Sequence, residues 1–240
     1  MSRSSGFDRQ ITIFSPEGRL YQIEYVFKAI RNVGASTVAI RGDDCVVIAV
    51  HKKVSDKLFD PSSITCFHRI SEHVALAAVG MSADSLSIAA DARSESAEFM
   101  YNYGYEMPVD LVAQRMADKA ATKTQQTWMR PHGCAGLFFG IDIERGPALY
   151  RTDPAGTSVG YKACALGNKE TELTAFLEKS LGEDATEPAD LSLNGALKLA
   201  VAAMRDAIGN EVVVGDLEVM VVSGENAVPR MVGMEEMEGM

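Results

Sequence analysis

The sequence predicts a single-domain α/β protein built in layers, and its order of elements suits two central sheets between two helical layers. The 240 residues are 47% hydrophobic, which is enough to bury a sizeable core in one domain. Continuous apolar runs such as residues 46–50 are typical of strands that are covered on both faces. The order of elements is helix, strands, two helices, strands, two helices and strand, and this order suits an αββα sandwich.

The first predicted element is a helix over residues 14–31. Ser15 fits the N-cap, Pro16 suits the first helical position, and Glu17 complements the positive end of the helix dipole. An apolar seam and two tyrosines beside it follow at helical spacing: Leu20, Ile23, Phe27 and Ile30, with Tyr21 and Tyr25. Such a helix needs a partner surface, either on its own domain or on another chain.

The next predicted elements are four strands and two long helices. Residues 35–40 and 45–50 flank a turn composition and predict a hairpin, and residues 64–70 and 74–79 predict a second pair. Residues 81–103 and a segment from Pro108 onward switch to helical periodicity. Their predicted buried stripes are Leu86, Ile88, Ala89, Ala92, Ala97 and Met100, and Val109, Val112, Met116 and Ala120.

The second half of the chain repeats the alternation of strands and helices. Strands are predicted at residues 135–141 and 148–152, around Val159, at 163–166 and, after two helices, at 216–222. The two helices span residues 169–181 and 191–208, and a glycine follows each of them. Residues 153–156 form a strong turn signal, and residues 234–240 have too little bulk to pack.

Charge and cysteine content limit the function classes. The net charge of −10 argues against a general nucleic-acid or anionic-membrane binder, because phosphates would be repelled over most of the surface. The four cysteines are widely spaced and form no CxxC pair, which favours a reducing compartment. With no secretory signal and no membrane-length apolar run, we expect the protein in the cytoplasm and nucleus.

No cofactor site is indicated by the sequence. The four histidines show no metal-binding spacing, and the glycines form no phosphate-cradling run. We therefore expect neither a metal nor a nucleotide.

One early stretch resembles a known family. The run FSPEGRLYQIEY at residues 14–25, with GFDR before it and FKAI after it, closely resembles the N-terminal signature of 20S proteasome α-type subunits. The opening residues 6–13 look most like the α-1 type, or iota. Later landmarks are also similar, so that the likeness covers about residues 6–225: residues 80–84, 129–133, 140–142, 153–156 and 176–178.

The resemblance implies the αββα fold of N-terminal nucleophile hydrolases with an extra N-terminal helix. It divides the chain into a gate tail (1–13), a ring-contact helix (14–31), the αββα core (32–226) and a C-terminal tail (227–240). The expected role is that of a non-catalytic subunit for ring assembly, gating of substrate access and activator docking in ubiquitin-dependent degradation. The implied partners are other α-type subunits in a seven-membered ring, a β-type ring and regulatory activator particles, with neither nucleic acid nor membrane among them.

Three groups of residues carry these implied roles. The gate residues are Phe7, Asp8, Arg9, Pro16 and Tyr25, where Phe7 replaces the tyrosine of the family and lacks its hydroxyl. The ring contact comprises Leu20, Tyr21, Ile23 and Phe27. The activator pocket of the family commonly holds a lysine, and the corresponding position falls on Cys66, a neutral thiol near pH 7.

The alternative function is an independent N-terminal nucleophile hydrolase that exposes Ser36 or Thr37 after a leader is removed. Such an enzyme uses the α-amine of its first residue as the base. The family's active pattern also needs a lysine and an aspartate, and these positions fall on Cys66 and His51. Neither residue supplies the required charge, so the non-catalytic role is favoured.

Overall fold

A computed structural model of the chain describes residues 8–52, 58–60, 63–182, 189–209, 216–224, 227–233 and 236. Its helices are α1 (Tyr21–Asn32), α2 (Ser82–Tyr103), α3 (Val109–Thr124), α4 (Glu170–Leu181) and α5 (Leu193–Ile208). Its strands are β1 (Ser36–Arg41), β2 (Cys45–His51), β3 (Phe67–Arg69), β4 (Val74–Gly80), β5 (Cys134–Asp142), β6 (Gly146–Thr152), β7 (Ser158–Gly160), β8 (Ala163–Gly167), β9 (Leu217–Ser223) and β10 (Arg230–Met231).

The strands form two antiparallel five-stranded sheets. The first sheet has the order β10-β9-β2-β1-β8 and the second has the order β3-β4-β5-β6-β7. The predicted hairpin of β1 and β2 is present, with Thr37 opposite Val50 and Ile40 opposite Val47. Every pairing between the described strands is antiparallel.

Successive side chains of the central strands point to opposite faces of the sheet, and this alternation explains the four layers. In β2, Val46, Ile48 and Val50 point into a core shared with Leu137 and Phe139 of the other sheet. The intervening residues of β2 face the opposite way, toward α4 and α5. The outer face of the second sheet packs in the same manner against α2 and α3. Each sheet is therefore covered on both faces, and the predicted αββα sandwich is confirmed.

The first helix begins later than the sequence predicted. Residues 15–18 form a tight turn in which Ser15 Oγ accepts from the backbone N of Arg19 at 3.1 Å, so Ser15 caps this turn and not the helix. Gly18 has a φ of +76°, a left-handed conformation that interrupts a right-handed helix. The helix consequently starts at Tyr21, and Leu20 is its N-cap residue.

The buried face of α2 also differs from the prediction. Leu86, Ala97 and Met100 are exposed, while small residues of the helix face the second sheet. The buried residues of α2 are Asp84, Ser85, Ala89, Ala92 and Ser96. Small side chains allow close approach of helix and sheet, and this requirement outweighs the preference for burying the largest apolar groups.

Two strands depart from the predicted boundaries. The strand predicted at 64–70 is reduced to the three residues of β3. The C-terminal segment contributes the unpredicted β10, which pairs with β9 and places Val232 in the core beside α5. Part of the 227–240 tail therefore packs on the first sheet.

Candidate functional site

Helix α1 contacts both sheets of the sandwich and leaves part of its apolar and aromatic surface accessible. It contacts β4 and β5 of one sheet and β8 of the other. Only Ile30 of its twelve residues is fully buried, and Val26 packs beside it on the core between the sheets. The predicted ring-contact residues remain partly accessible: Leu20, Tyr21, Ile23 and Phe27. Phe14, just before the helix, is 64% exposed.

Local polar contacts fix the start of this helix. Arg19 donates to both carboxylate oxygens of Glu24, at 2.7 and 2.5 Å, across the first turn. The rings of Tyr21 and Tyr25 stack with centroids 6.3 Å apart, and the Tyr21 hydroxyl donates to Glu17 at 3.2 Å. The exposed surface of α1 is thus an ordered array of aromatic and charged groups.

Two of the predicted gate residues are brought together. Desolvation first, then the charges of Asp8, Tyr21 and Glu24, and last a side-chain hydrogen bond with Asp8, raise the pKa of Tyr25. The backbone carbonyl of Asp8 also accepts from the side-chain amide of Gln22. Arg9 and Pro16 are exposed, and Pro16 lies in the turn before the helix. Phe7 lies outside the described residues.

The alternative nucleophiles are enclosed within the first sheet. Thr37 is 0% exposed and Ser36 is 2% exposed, and both lie in the middle of the sheet between β2 and β8. The register places Ser36 opposite His51 and Gly167. The chain continues from Ser36 back through Ala35 into α1, so no α-amine is at hand to serve as the base.

Cys66 lies half-buried beside an ion pair that the sequence did not indicate. Its backbone N donates to Glu218 Oε2 at 3.2 Å, and Glu218 Oε1 lies 3.9 Å from Lys52 Nζ. Lys52 also donates to the carbonyl of Ile64 at 2.7 Å. Burial, and then the charge of Glu218, raise the pKa of Cys66 to about 11, against the opposing effect of Lys52. The thiol is therefore neutral at physiological pH.

Sequence reasoning missed Lys52 and Glu218 because they are far from Cys66 along the chain. Lys52 follows β2 and Glu218 lies in β9, and only the pairing of these strands brings them to the same edge. Arg69, the other cation near this position in sequence, donates to the carbonyls of Ser71 and Glu72, both at 3.1 Å. The Arg69 guanidinium is therefore occupied by hydrogen bonds within the turn between β3 and β4.

Two other kinds of site are absent from the described residues. No group of three or more His, Cys, Asp or Glu side chains there has the geometry to hold a metal ion. None of the described helices combines the length and apolarity needed to cross a bilayer. All four cysteines, which lie in the described segments, are free thiols.

Comparison with known proteins agrees with this architecture. The proteasome subunit family matches residues 32–222, and the N-terminal signature of proteasome A-type subunits matches residues 7–29. The chain is 44% identical to the proteasome alpha type-6 subunit of Caenorhabditis elegans, over 95% of this chain and 92% of the relative. It is 40% identical to a probable proteasome alpha type-1 subunit of Schizosaccharomyces pombe, over 99% and 96%. A proteasome alpha subunit of Methanopyrus kandleri is 35% identical, over 98% and 97%.

These relatives confirm the resemblance inferred from residues 6–30. Subunits of the α type are the non-catalytic ring members of a threonine-protease complex, and their family role is ring assembly and gating. The two matched segments together span the N-terminal signature and nearly the whole sandwich. The chain therefore belongs to the proteasome subunit family, as a non-catalytic α-type member that assembles with other proteasome subunits.

Proposed function

We propose that α1 and the segment before it form the contact by which this chain joins a seven-membered α-ring stacked on a β-type ring. The observation that carries the proposal is the accessible side of α1, where the stacked Tyr21 and Tyr25 accompany the partly accessible Leu20, Ile23 and Phe27. Apolar and aromatic groups that the chain covers only in part are available to a partner. The ring-contact residues in this proposal are Leu20, Tyr21, Ile23 and Phe27.

The same proposal gives the N-terminal tail a part in gating. Asp8 and Tyr25 lie together where the tail meets α1, and Pro16 and Arg9 lie in the exposed connection. These positions match the family's tail-ordering residues. With Phe7 in place of a tyrosine, this subunit has one hydroxyl fewer to offer to the open-gate network.

We also propose that this subunit takes part in the docking of regulatory activators and, through them, in ubiquitin-dependent degradation. A neutral thiol at position 66 cannot make the charge-assisted bond that a lysine gives to a terminal carboxylate. We therefore assign this pocket a weak contribution to activator binding. The four unpaired cysteines agree with action in the reducing cytoplasm and nucleus.

The ring-contact proposal is tested with a Leu20→Asp, Phe27→Asp double variant. Apolar burial contributes about 25 cal/mol per Å², so two carboxylates at the contact should remove several kcal/mol of association energy. We expect the variant to be lost from the complex when other α-type subunits are purified. The measurement is its stoichiometry in that complex relative to the wild-type chain.

Lys179→Asp on α4 is the matched control, because it makes the same change in net charge at an exposed site. It should assemble normally. Circular dichroism of each isolated variant establishes that α1 and the sandwich are folded. Full incorporation of a folded double variant would show that this helix is not the ring contact.

A further inference from the structure

A wide cleft opens at one end of the second sheet, and no residue of α1 lines it. Its volume is about 460 Å³, and three segments line it: the start of β4, the connection from α2 into α3, and the β5–β6 hairpin. Its floor is apolar, because Val74, Met107 and Val109 are almost completely buried there. A cleft of this size and character is typical of a binding site.

Acidic groups outnumber basic groups around the cleft. Four carboxylates and two basic side chains line it: Glu106, Asp110, Asp142 and Glu144, with His73 and Arg145. Both basic groups are already engaged. His73 Nδ1 lies 2.5 Å from Glu106 Oε2, and Arg145 Nη1 lies 2.5 Å from Asp110 Oδ2.

The two remaining carboxylates lie on the hairpin. Asp142 uses its Oδ1 to accept the backbone amides of residues 144 and 145, at 2.8 and 3.1 Å, so this oxygen shapes the turn. Glu144 is exposed on the same turn. After the internal pairs are formed, the cleft therefore keeps an excess of negative charge on its hairpin side.

Large apolar side chains on the rim have no cover within the described part of the chain. Ile143, at the tip of the hairpin, is 100% exposed, and Tyr105 on the opposite rim is 55% exposed. The Tyr105 ring packs edge-on against Phe99, with centroids 5.1 Å apart, so it is held in place on the rim. An ordered aromatic and a protruding isoleucine beside an apolar floor are the features of a protein interface.

We propose that this cleft receives a segment of a neighbouring subunit in which a lysine or arginine stands next to an apolar side chain. The apolar side chain fills the floor between Tyr105 and Ile143, and the basic group lies over Asp142 and Glu144. Charge complementarity selects such a segment over an acidic one. The inference rests on assembly of this chain with other subunits, but it concerns a surface distinct from α1.

The test places a photo-reactive residue at the rim. Ile143→p-benzoylphenylalanine is introduced into the chain, and the variant chain is assembled into the complex. Because Ile143 is fully exposed, replacing it disturbs no packing within the subunit. After irradiation, mass spectrometry identifies the linked residue. We expect a cross-link to one other subunit, at or beside a lysine or arginine.

A charge variant makes the test specific. Glu144→Lys in the same background should lower the cross-link yield about two- to fivefold, the range for losing one exposed ion pair. Glu178→Lys, an equal charge change on the exposed face of α4, should leave the yield unchanged.

Several outcomes would overturn the inference. They are a cross-link to a second copy of this chain, a linked segment without a basic residue, no linked subunit, or equal yields for the two lysine variants. Intact mass of the purified complex measures incorporation separately. A subunit that fails to assemble through α1 is thereby distinguished from an assembled subunit whose cleft receives no segment.

Discussion

His132 is held in its neutral form by the residues around it. Its Nε2 lies 2.5 Å from Lys123 Nζ, and both side chains are half-buried where α3 meets the loop before β5. An ammonium can only donate, so the imidazole nitrogen must accept and carry no proton. Burial, followed by the charge of Lys123, lowers the pKa of His132.

We expect this histidine to make the folded state less stable as the pH falls. Because its pKa is lower in the folded chain than in the unfolded chain, the unfolded chain binds more protons below about pH 6.5. The free energy of unfolding should therefore decrease as the pH falls from about 6.5 through the folded-state pKa, by less than about 1.4 kcal/mol per pH unit for this group. Urea unfolding at several pH values measures this slope.

One substitution tests the contribution of His132. His132→Gln should flatten the slope in that pH range. An unchanged slope in His132→Gln would show that His132 contributes nothing to the pH dependence.

Cys66 provides a second residue-level prediction. Cys66→Lys should strengthen activator-stimulated peptide hydrolysis by the assembled particle, because a charge-assisted hydrogen bond to a carboxylate is worth about 1.5–3 kcal/mol. Cys66→Met is the neutral control and should not strengthen it. Binding of an activator-tail peptide, measured with the other pockets disabled, should rise only for the lysine variant. Equal affinity for wild type and Cys66→Lys would reject the idea.

At the scale of elements, the turn between β6 and β7 is fitted tightly onto α3. Asp153 Oδ1 accepts the backbone amides of Ala155 and Thr157, both at 3.0 Å, as the turn composition predicts. Gly156 adopts a φ of +94°, and a Cβ there would lie 2.5 Å from the Cβ of Ala121 in α3. Both the left-handed backbone conformation and the lack of space beside α3 therefore require glycine at position 156.

Gly156→Ala should destabilise the chain more than Gly146→Ala. Gly146 also has a positive φ, of +74°, but a Cβ there would meet nothing within 4 Å. Backbone strain of about 1–2 kcal/mol is common to both variants, while the clash with α3 adds about 1–3 kcal/mol for Gly156 alone. Thermal unfolding of the two variants compares these costs directly. Equal losses would mean that α3 moves aside without cost.

At the scale of the whole molecule, α1 bridges the two sheets, because it contacts β4 and β5 of one and β8 of the other. Ile30 and Val26 reach the core between the sheets, and the Asp8 carbonyl is fastened to Gln22 on the same helix. The segment before α1 is therefore anchored through residue 8 to the body of the protein.

Deletion of residues 1–11 should raise basal peptide hydrolysis by the whole particle if this tail occludes the pore. The anchoring carbonyl of Asp8 is removed together with the tail, while α1 keeps its own contacts with both sheets. Hydrolysis of a fluorogenic peptide without activator is the measurement. Subunit stoichiometry must equal that of the wild-type particle. Unchanged hydrolysis in an intact particle would assign closure of the pore to other subunits.

The sequence by itself determined the family, the layered fold class and the order of the elements as far as β9. These properties depend on short-range signals, such as the apolar run of β2, the glycines after α4 and α5, and the motif at residues 14–25. Helical and strand periodicities are local, and they remain visible whatever the elements pack against. The division into gate tail, contact helix, core and C-terminal tail remains a prediction.

Only the tertiary structure decided which faces and which distant residues meet. It showed that α2 turns its small residues toward the sheet, that Gly18 delays the start of α1, and that β10 adds to the first sheet. It also brought Lys52 and Glu218 to Cys66, and formed the acidic cleft from three separated segments. Contacts between residues far apart in the chain follow from sheet pairing and layer packing, which no local pattern encodes.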